Sequence, residues 1–144
     1  MICRKLKREE LPLILPLCHK FWETASIPGN FDDTFFLRVW NQLFEIGMGE
    51  VFVLEDQSSL VGMLGAVFSS DFSADSVLGR EAFWFVFPEV RGHGRKLLDA
   101  YEEEGRLRKV SGLTMVHLEG GNAEALSRIY CRRGYRPFER VYLK

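Results

Sequence analysis

A glycine-rich, basic segment follows a strongly apolar stretch and has the residue types that bind phosphate. In order, the segment comprises Arg91, Gly92, His93, Gly94, Arg95 and Lys96. Glycine has no Cβ, so Gly92 and Gly94 let the backbone turn sharply and approach a ligand closely. The helix predicted after them would present unpaired N–H groups and the positive end of its dipole. With cationic side chains around that helix start, the segment predicts a pyrophosphate site.

Two other phosphate-binding motifs do not fit this segment. The P-loop ends in Gly-Lys followed by Ser or Thr, which is absent here, and the dinucleotide pattern G-x-G-x-x-G has Leu97 where its last glycine belongs. A pair of glycines by itself is also compatible with a tight turn that binds nothing. The residues alone therefore leave a nucleotide-diphosphate site and a structural turn as alternatives.

The same stretch resembles the acetyl-CoA-binding motif of the GNAT superfamily of N-acetyltransferases. The family pattern is V-x-P-x-x-(R/Q)-G-x-G-x-(G/A). The residues that match it in register are Val86, Pro88, Arg91, Gly92 and Gly94. One departure is that Lys96 occupies the position of the last small residue of the pattern. The two leucines that follow come early, so the loop is expected to be shorter than in most relatives.

This resemblance implies where acetyl-CoA, the expected co-substrate, would bind. The strand before the loop would splay from its neighbour and place Trp84, Phe85 and Val86 beside the pantetheine arm. The segment 92–97 would hold the pyrophosphate, which adds Leu97 to the residues named above. Lys96 is expected to compensate for the shorter loop with a direct phosphate contact.

A second signature of the family is an Asn followed by a helix with the pattern Y-x-x-x-G-(F/Y). Tyr130, Gly134 and Tyr135 match its spacing. Asn122 is identified as a further cofactor contact, although it lies one residue further from Tyr130 than usual. Together the two motifs extend the resemblance over essentially the whole chain, which is most similar to short phage-encoded members.

The resemblance implies direct transfer of an acetyl group to a primary amine. Tyr130 is the expected general acid for the leaving CoA thiolate, with a core aromatic as the alternative, and a backbone N–H within 85–87 is the expected donor to the carbonyl oxygen. An amine with a pKa of about 10.4 is protonated at neutral pH, so a base must remove its proton. The candidates are His117, Glu119 and Glu81, because alternation along the predicted strand 113–119 puts the first two on one face and Glu81 begins the neighbouring strand.

Alternating strand and helix patterns must position these residues. They predict an α/β fold, a mixed α+β sheet of about six strands flanked by four helices, in one N-acetyltransferase domain spanning residues 1–144. The strands are predicted at residues 2–6, 50–55, 59–68, 81–87, 113–119 and 138–143. The first helix is predicted to begin near Arg8 and to kink at Pro16. The second is predicted to follow an Asp32 cap, the third to follow Gly94 and the fourth to begin at Asn122. A polar loop is predicted at residues 69–79, and the cofactor cleft lies between the fourth and fifth strands of this GNAT-like arrangement.

An aromatic stripe on the second predicted helix has two interpretations. Phe35, Phe36, Trp40 and Phe44 recur at helical spacing. Such a stripe is typical of a helix that packs on a core. In the family the acceptor pocket often lies near the first two helices, so the same rings are also candidates to line it.

Composition and charge exclude several classes of function. The chain has 144 residues, of which 19 are basic and 20 acidic, so its net charge of -1 argues against a nucleic acid or an anionic membrane as partner. No apolar run reaches the roughly 18 residues of a spanning helix, and a cytoplasmic location is expected. Cys3, Cys18 and Cys131 lack the spacing of metal ligands, so we expect reduced thiols and no metal.

Several alternatives stay open from sequence. The chain is either an enzyme or a catalytically weak CoA-binding or partner-docking module, and another nucleotide diphosphate is a second rival ligand. The acceptor is a polyamine, an aminoglycoside-like molecule, a lysine side chain or a protein N-terminus. The predicted edge strand 138–143 either pairs with a second subunit in a homodimer or ends at the monomer.

Overall fold

One mixed sheet forms the centre of the structure, a computed structural model that describes residues 1–70, 74–119 and 122–144. Within these residues the sheet has five strands in sequential order. The strands are β1 (Ile2–Lys5), β2 (Gly49–Asp56), β3 (Ser59–Ser70), β4 (Val77–Val86) and β5 (Gly112–Thr114). Strands β1 to β4 pair antiparallel with their neighbours, and β5 pairs with β4 in parallel. The predicted mixed sheet is thus present.

Helices lie on both faces of this sheet. In the described part of the chain the α-helices are α1 (Leu15–Ala25), α2 (Asp33–Glu45), α3 (Arg95–Leu107) and α4 (Ala123–Arg132). A 3₁₀ helix, Arg8–Ile14, precedes α1, and a second one, Pro88–His93, precedes α3. The four predicted helices are therefore all present.

Two apolar layers hold the helices to the sheet. Helices α1 and α2 pack on one face, where Trp40 belongs to the same cluster as Val51 and Val53. Helix α3 packs on the other face, where Leu97 and Leu98 belong to the same cluster as Phe52. Neighbouring residues of β2 serve opposite layers because side chains alternate along a strand. Burial of one such leucine stabilises the fold by about 1.5–3 kcal/mol.

Local capping explains where the first two helices begin. The Phe35 N–H donates to Asp32 Oδ1 at 2.6 Å, which confirms the predicted N-cap of α2. The predicted kink at Pro16 is wrong, because α1 begins only at Leu15 and Pro16 lies in its first turn. A proline there removes an N–H that has no partner within the helix, so the helix is not disturbed.

The predicted sixth strand is wrong. Residues 133–144 form neither helix nor strand, and Phe138 and Val141 are 70% and 83% exposed. Residues 138–143 have the apolar and β-branched composition of a strand, but a strand also needs a partner edge of matching length. The neighbouring edge strand β5 has only three residues.

The strands that bound the predicted cleft also differ from expectation. β5 ends at Thr114, so the predicted strand 113–119 is wrong beyond that residue. β4 begins at Val77 and β3 continues to Ser70, which shortens the predicted loop 69–79; its residues 71–73 lie outside the described residues. Within the described ranges, none of the helices is both long and apolar enough to cross a bilayer.

Candidate active site

A gap opens between β4 and β5 halfway along β4. The parallel pairing runs from Leu78 opposite Gly112 to Arg80 opposite Thr114. Beyond Arg80, the six remaining residues of β4 have no β5 partner among the described residues. Backbone groups on that side of β4 therefore face a cleft instead of a neighbouring strand.

The alternation of the antiparallel ladder identifies which backbone groups face the cleft. The Phe87 N–H donates to Val61 O at 3.0 Å, so Phe87 points its polar groups towards β3. Because these directions alternate along a strand, Phe85 also faces β3, whereas Trp84 and Val86 direct their N–H and C=O groups to the cleft. Of the expected donors in 85–87, Val86 is thus available for a ligand and Phe87 is already bonded within the sheet.

A β-bulge lies where β4 leaves β5. Phe83 pairs with Gly65 and Glu81 pairs with Ala66, which leaves Ala82 as an extra residue in β4. A Cβ on Gly65 would lie 2.2 Å from the Phe83 ring, so only glycine fits opposite the bulge. Bulges redirect side chains, and this one interrupts the alternation along β4, so Glu81 does not lie on the same face as Phe83 and Phe85.

Glu81 spans the gap at the bulge. Its Oε2 accepts a hydrogen bond from the Val116 N–H at 3.0 Å, so a β4 side chain binds the segment that follows β5. Burial raises the pKa of Glu81 to about 7, and the hydrogen bond from Val116 offsets only part of this effect. A carboxylate with such a pKa exchanges protons near neutral pH, as a general base must.

Tyr130 approaches the same segment from α4. Its side chain is buried, and its hydroxyl donates to Val116 O at 3.1 Å. Burial, followed by the nearby charge of Glu81, raises the pKa of Tyr130, so the phenol stays protonated at neutral pH. The ring lies 6.2 Å from that of Trp84 on β4. A proton donor thus stands across the cleft from the exposed edge of β4.

An ion pair fixes the helix that carries Tyr130. Arg133, at the end of α4, binds both carboxylate oxygens of Glu102 on α3, at 2.8 and 2.6 Å. Gly134 follows with a φ of 90°, a conformation that glycine adopts without strain, and turns the chain so that Tyr135 packs on Tyr130. The spacing of Tyr130, Gly134 and Tyr135 therefore also allows the chain to turn back and pack against the Tyr130 ring.

The glycine segment is more compact than an open loop. Residues Pro88–His93 form a 3₁₀ helix, and Gly94 then acts as the N-cap of α3 without a side-chain cap. Gly94 is buried, and a Cβ there would lie 3.3 Å from Val86 and 3.5 Å from the Trp84 indole. The start of α3 is consequently pressed against the edge of β4 that faces the cleft.

Cationic side chains surround this helix start. Arg91, His93 and Arg95 are exposed, as is Gly92, and Leu97 is fully buried beneath them in the α3 layer. The first amides of a helix lack intrahelical acceptors and attract anions. The predicted phosphate-binding residues thus lie together, except for Leu97, whose side chain is buried and whose N–H already donates to Gly94 O at 3.1 Å.

Lys96 is directed elsewhere. Its Nζ donates to the carbonyl of Met1 at 3.1 Å, and its own carbonyl accepts from the Cys3 thiol at 3.4 Å. The side chain therefore ties α3 to the residue that precedes β1. The expected phosphate contact of Lys96 would require this bond to break.

One buried polar atom at the cleft lacks a protein partner. Trp84 Nε1 is inaccessible to solvent and makes no hydrogen bond to the described residues. A buried donor without an acceptor is destabilising by about 1–3 kcal/mol. A ligand carbonyl bound along β4 would supply the missing acceptor.

Three other predicted residues lie after β5, outside any strand. His117 is half-buried, and Glu119 and Asn122 are exposed. The argument that alternation places His117 and Glu119 on one strand face fails, because the strand has ended. Asn122 is the N-cap of α4, but its side chain makes no cap bond, and its carbonyl accepts from Leu126 N–H at 2.9 Å.

Sequence reasoning missed Val116 and Ala82. Val116 acts through its main chain, since its N–H binds Glu81 and its C=O binds Tyr130, and no side-chain pattern reports that. The bulge at Ala82 follows from strand register, which one sequence does not reveal. The only signal was Gly65 in the middle of an apolar strand, a residue that often marks a bulge.

Comparison with solved structures identifies the fold. A predicted acetyltransferase from Clostridium acetobutylicum, solved with acetyl-CoA, superposes with a TM-score of 0.81 at 17% identity, covering 99% of this chain and 95% of that one. The aminoglycoside N-acetyltransferase AAC(6')-Iy, bound to a CoA–acetylneamine bisubstrate analogue, gives 0.75 at 17% identity over 99% and 95%. A ribosomal-protein-alanine N-acetyltransferase from Brucella melitensis gives 0.73 at 17% identity over 100% and 99%.

The chain thus has the fold of N-acetyltransferases, which confirms the expected GNAT-like fold class. No protein-family model and no curated sequence matches it. At these identities the likeness establishes the arrangement of strands and helices, and the chemistry must be argued from the site itself.

Proposed function

We propose that this chain is an acetyl-CoA-dependent N-acetyltransferase that moves an acetyl group directly to a primary amine. The observation that carries this proposal is the convergence of Glu81 and Tyr130 on Val116, in the gap between β4 and β5. A base on β4 and a proton donor on α4, which meet at one cleft, are the two groups that acyl transfer to an amine requires. The fold shared with acetyltransferases supports the same assignment.

The described residues fit acetyl-CoA. The open C=O groups of Trp84 and Val86 would accept from the amide N–H groups of the pantetheine arm, as a missing strand would provide. The start of α3, with Arg91, His93 and Arg95 around it, would hold the pyrophosphate. When bound, acetyl-CoA supplies an activated acetyl thioester, and two of the superposed structures contain acetyl-CoA or a CoA conjugate.

Glu81 is the general base in this proposal. It accepts a proton from the attacking amine as the new C–N bond forms, directly or through one water molecule. With a pKa of about 7, the carboxylate is largely ionised at slightly alkaline pH and still basic enough to compete for the proton. Glu119 is exposed and His117 is half-buried, and in the described part of the chain Glu81 is the candidate that binds Val116.

Tyr130 is the proton donor to the leaving sulfur. As the C–S bond breaks, its hydroxyl turns from Val116 O to the sulfur, which then leaves as the thiol or as a hydrogen-bonded thiolate. The Val86 N–H, directed into the same cleft, is placed to bind the carbonyl oxygen as negative charge develops on it. Each group acts through hydrogen bonds, and the acetyl group passes to the amine in one displacement.

Three further parts of the proposal concern similarity to short relatives, location and assembly. The compact turn before α3 supports a similarity to short members of the fold, such as the phage-encoded ones. A cytoplasmic location is proposed because Cys3, Cys18 and Cys131 are free thiols. Exposed apolar residues in the C-terminal segment, including Phe138 at 70% and Val141 at 83%, favour a homodimer contact. In such a dimer, the second subunit would cover the apolar side chains of this segment that are exposed in one subunit.

Release of CoA thiol in the presence of acetyl-CoA and a panel of primary amines tests this function. Tyr130→Phe is expected to lower kcat by about 10²-fold or more with little change in acetyl-CoA affinity. Tyr142→Phe is the matched control, since that tyrosine is exposed in the C-terminal segment, and its turnover should equal the wild type. Full turnover by Tyr130→Phe would refute the role of the phenol, and binding without any turnover would favour a CoA-binding module.

A further inference from the structure

An aromatic pocket opens on the face of the sheet that α1 and α2 cover. Its volume is about 200 Å³, and α1, the segment before α2, α2 itself, β3 and β4 all contribute to it. Six of its ten lining residues are aromatic: Phe21, Trp22, Phe31, Phe36, Trp40 and Phe83. Five of these rings form a connected group, with centroids 5.0 to 6.0 Å apart in successive pairs from Trp22 through Phe31, Phe36 and Trp40 to Phe83.

The pocket reaches the proposed reaction centre through Ala82. This residue lines the pocket and directly follows Glu81 at the bulge. Ala82 lies within a ten-residue strand and is nevertheless exposed, and among the described residues β5 does not pair with this part of β4. Glu81 lies opposite Ala66, on the face of β4 that carries Trp84, and Ala82 faces the pocket on the other side. A group in the pocket would thus reach the base around the edge of β4 that β5 leaves open.

The lining of the pocket excludes a densely charged ligand. All ten residues are uncharged in their ordinary states, and burial raises the pKa of the Cys18 thiol to about 12, which keeps it neutral. Asp33, at the start of α2, is already paired with His19 at 2.8 Å. A polyamine or an aminoglycoside would leave ammonium groups against aromatic rings without carboxylate partners, which is unfavourable in a desolvated site.

We propose that the acceptor is a primary amine joined through a short linker to one apolar ring, with the ring in this pocket and the amine at Glu81. The inference rests on the proposed function. Size supports a single ring, since a cavity of about 150 Å³ lined by apolar side chains accommodates benzene, and about 200 Å³ leaves room for a short linker. Burial of the ring among aromatic side chains would supply most of the affinity.

The test compares 2-phenylethylamine with spermidine and kanamycin as acceptors, together with binding of acetyl-CoA by calorimetry. We expect kcat/KM for 2-phenylethylamine to be at least about tenfold higher than for either polycation. Ala82→Leu fills the pocket and should lower this kcat/KM by at least about tenfold, mainly through KM, with acetyl-CoA affinity unchanged. Ala125→Leu is the matched control on an exposed part of α4 and should have no effect.

Each outcome separates the two proposals. Equal or better turnover with spermidine or kanamycin, or an unchanged KM in Ala82→Leu, would overturn the apolar acceptor and leave the acetyltransferase intact. Failure of acetyl-CoA to bind would overturn the proposed function, and saturation-transfer NMR with 2-phenylethylamine alone would still test the pocket. If Ala82→Leu does not fold, Trp22→Ala removes a pocket wall instead, and retention of the NMR signal there would contradict the inference.

Discussion

Replacing Glu81 by Gln should stabilise the protein at alkaline pH while it slows catalysis. Glutamine has nearly the same size and keeps an oxygen that accepts from Val116 N–H, but it carries no charge. The wild-type carboxyl has a pKa of about 7 instead of the ordinary 4.5, because burial disfavours its charged form. That difference corresponds to about 3 kcal/mol of folding free energy.

The sign of this effect follows from proton binding. Between about pH 4.5 and pH 7 the folded state retains a proton on Glu81 that the unfolded chain has lost, so wild-type stability falls as the pH rises through this window. Glu81→Gln has no such loss. The variant should therefore match the wild type near pH 4.5 and exceed it by up to about 3 kcal/mol at pH 8.

Urea unfolding at several pH values measures this difference. With an m value of about 2 kcal/mol per M, the midpoint of Glu81→Gln should lie about 1.5 M above that of the wild type at pH 8. Glu119→Gln, at an exposed position, is the control and should follow the wild type at every pH. If the stability of the wild type and that of Glu81→Gln changed with pH in the same way, the argument that burial raises the pKa of the Glu81 carboxyl would be refuted.

Activity should change in the opposite direction. Wild-type kcat/KM is expected to rise with pH through an apparent pKa of about 7, as Glu81 becomes able to accept the amine proton. Glu81→Gln should lose this rise and about 10²- to 10⁴-fold in rate. If His117→Asn or Glu119→Gln removed the pH dependence instead, the base would lie on the segment after β5.

Two further predictions concern the cofactor site and the bulge. Arg91→Ala should weaken acetyl-CoA binding about fivefold, because one exposed cation beside the pyrophosphate contributes about 1 kcal/mol, whereas Arg140→Ala in the C-terminal segment should not, as measured by calorimetry at two salt concentrations. Gly65→Ala should lower the free energy of unfolding by about 1–3 kcal/mol, because the new methyl group would overlap the Phe83 ring and force the bulge to move; unchanged unfolding in urea would contradict the register described for β3 and β4.

The sequence was most informative where side-chain type alone decides local structure. Asp32 before an apolar stripe predicted the start of α2, and the spacing of Tyr130 and Gly134 predicted where α4 ends and turns. The identification of Val86, Pro88, Arg91, Gly92 and Gly94 with a family motif predicted the fold class. In each case the determinant lies within a few residues, so one sequence contains it.

Pairing between distant strands was predicted less well. β5 ends after three residues, and residues 138–143 join no strand of the sheet, although both segments have strand-like composition. Strand formation depends on a partner edge that a local pattern does not report. For the same reason, the role of Glu81 depends on the bulge and on Val116, and composition gave no reason to rank it above Glu119.

Calorimetric titration with acetyl-CoA, CoA and ADP tests the central claim most directly. If β4 binds the pantetheine arm and α3 binds the pyrophosphate, acetyl-CoA and CoA should both bind, and ADP, which lacks the arm, should bind at least about tenfold more weakly. Equal affinity for ADP and acetyl-CoA would identify a general nucleotide-diphosphate site. No binding of acetyl-CoA would contradict the assignment of the cleft between β4 and β5 as an acetyltransferase active site.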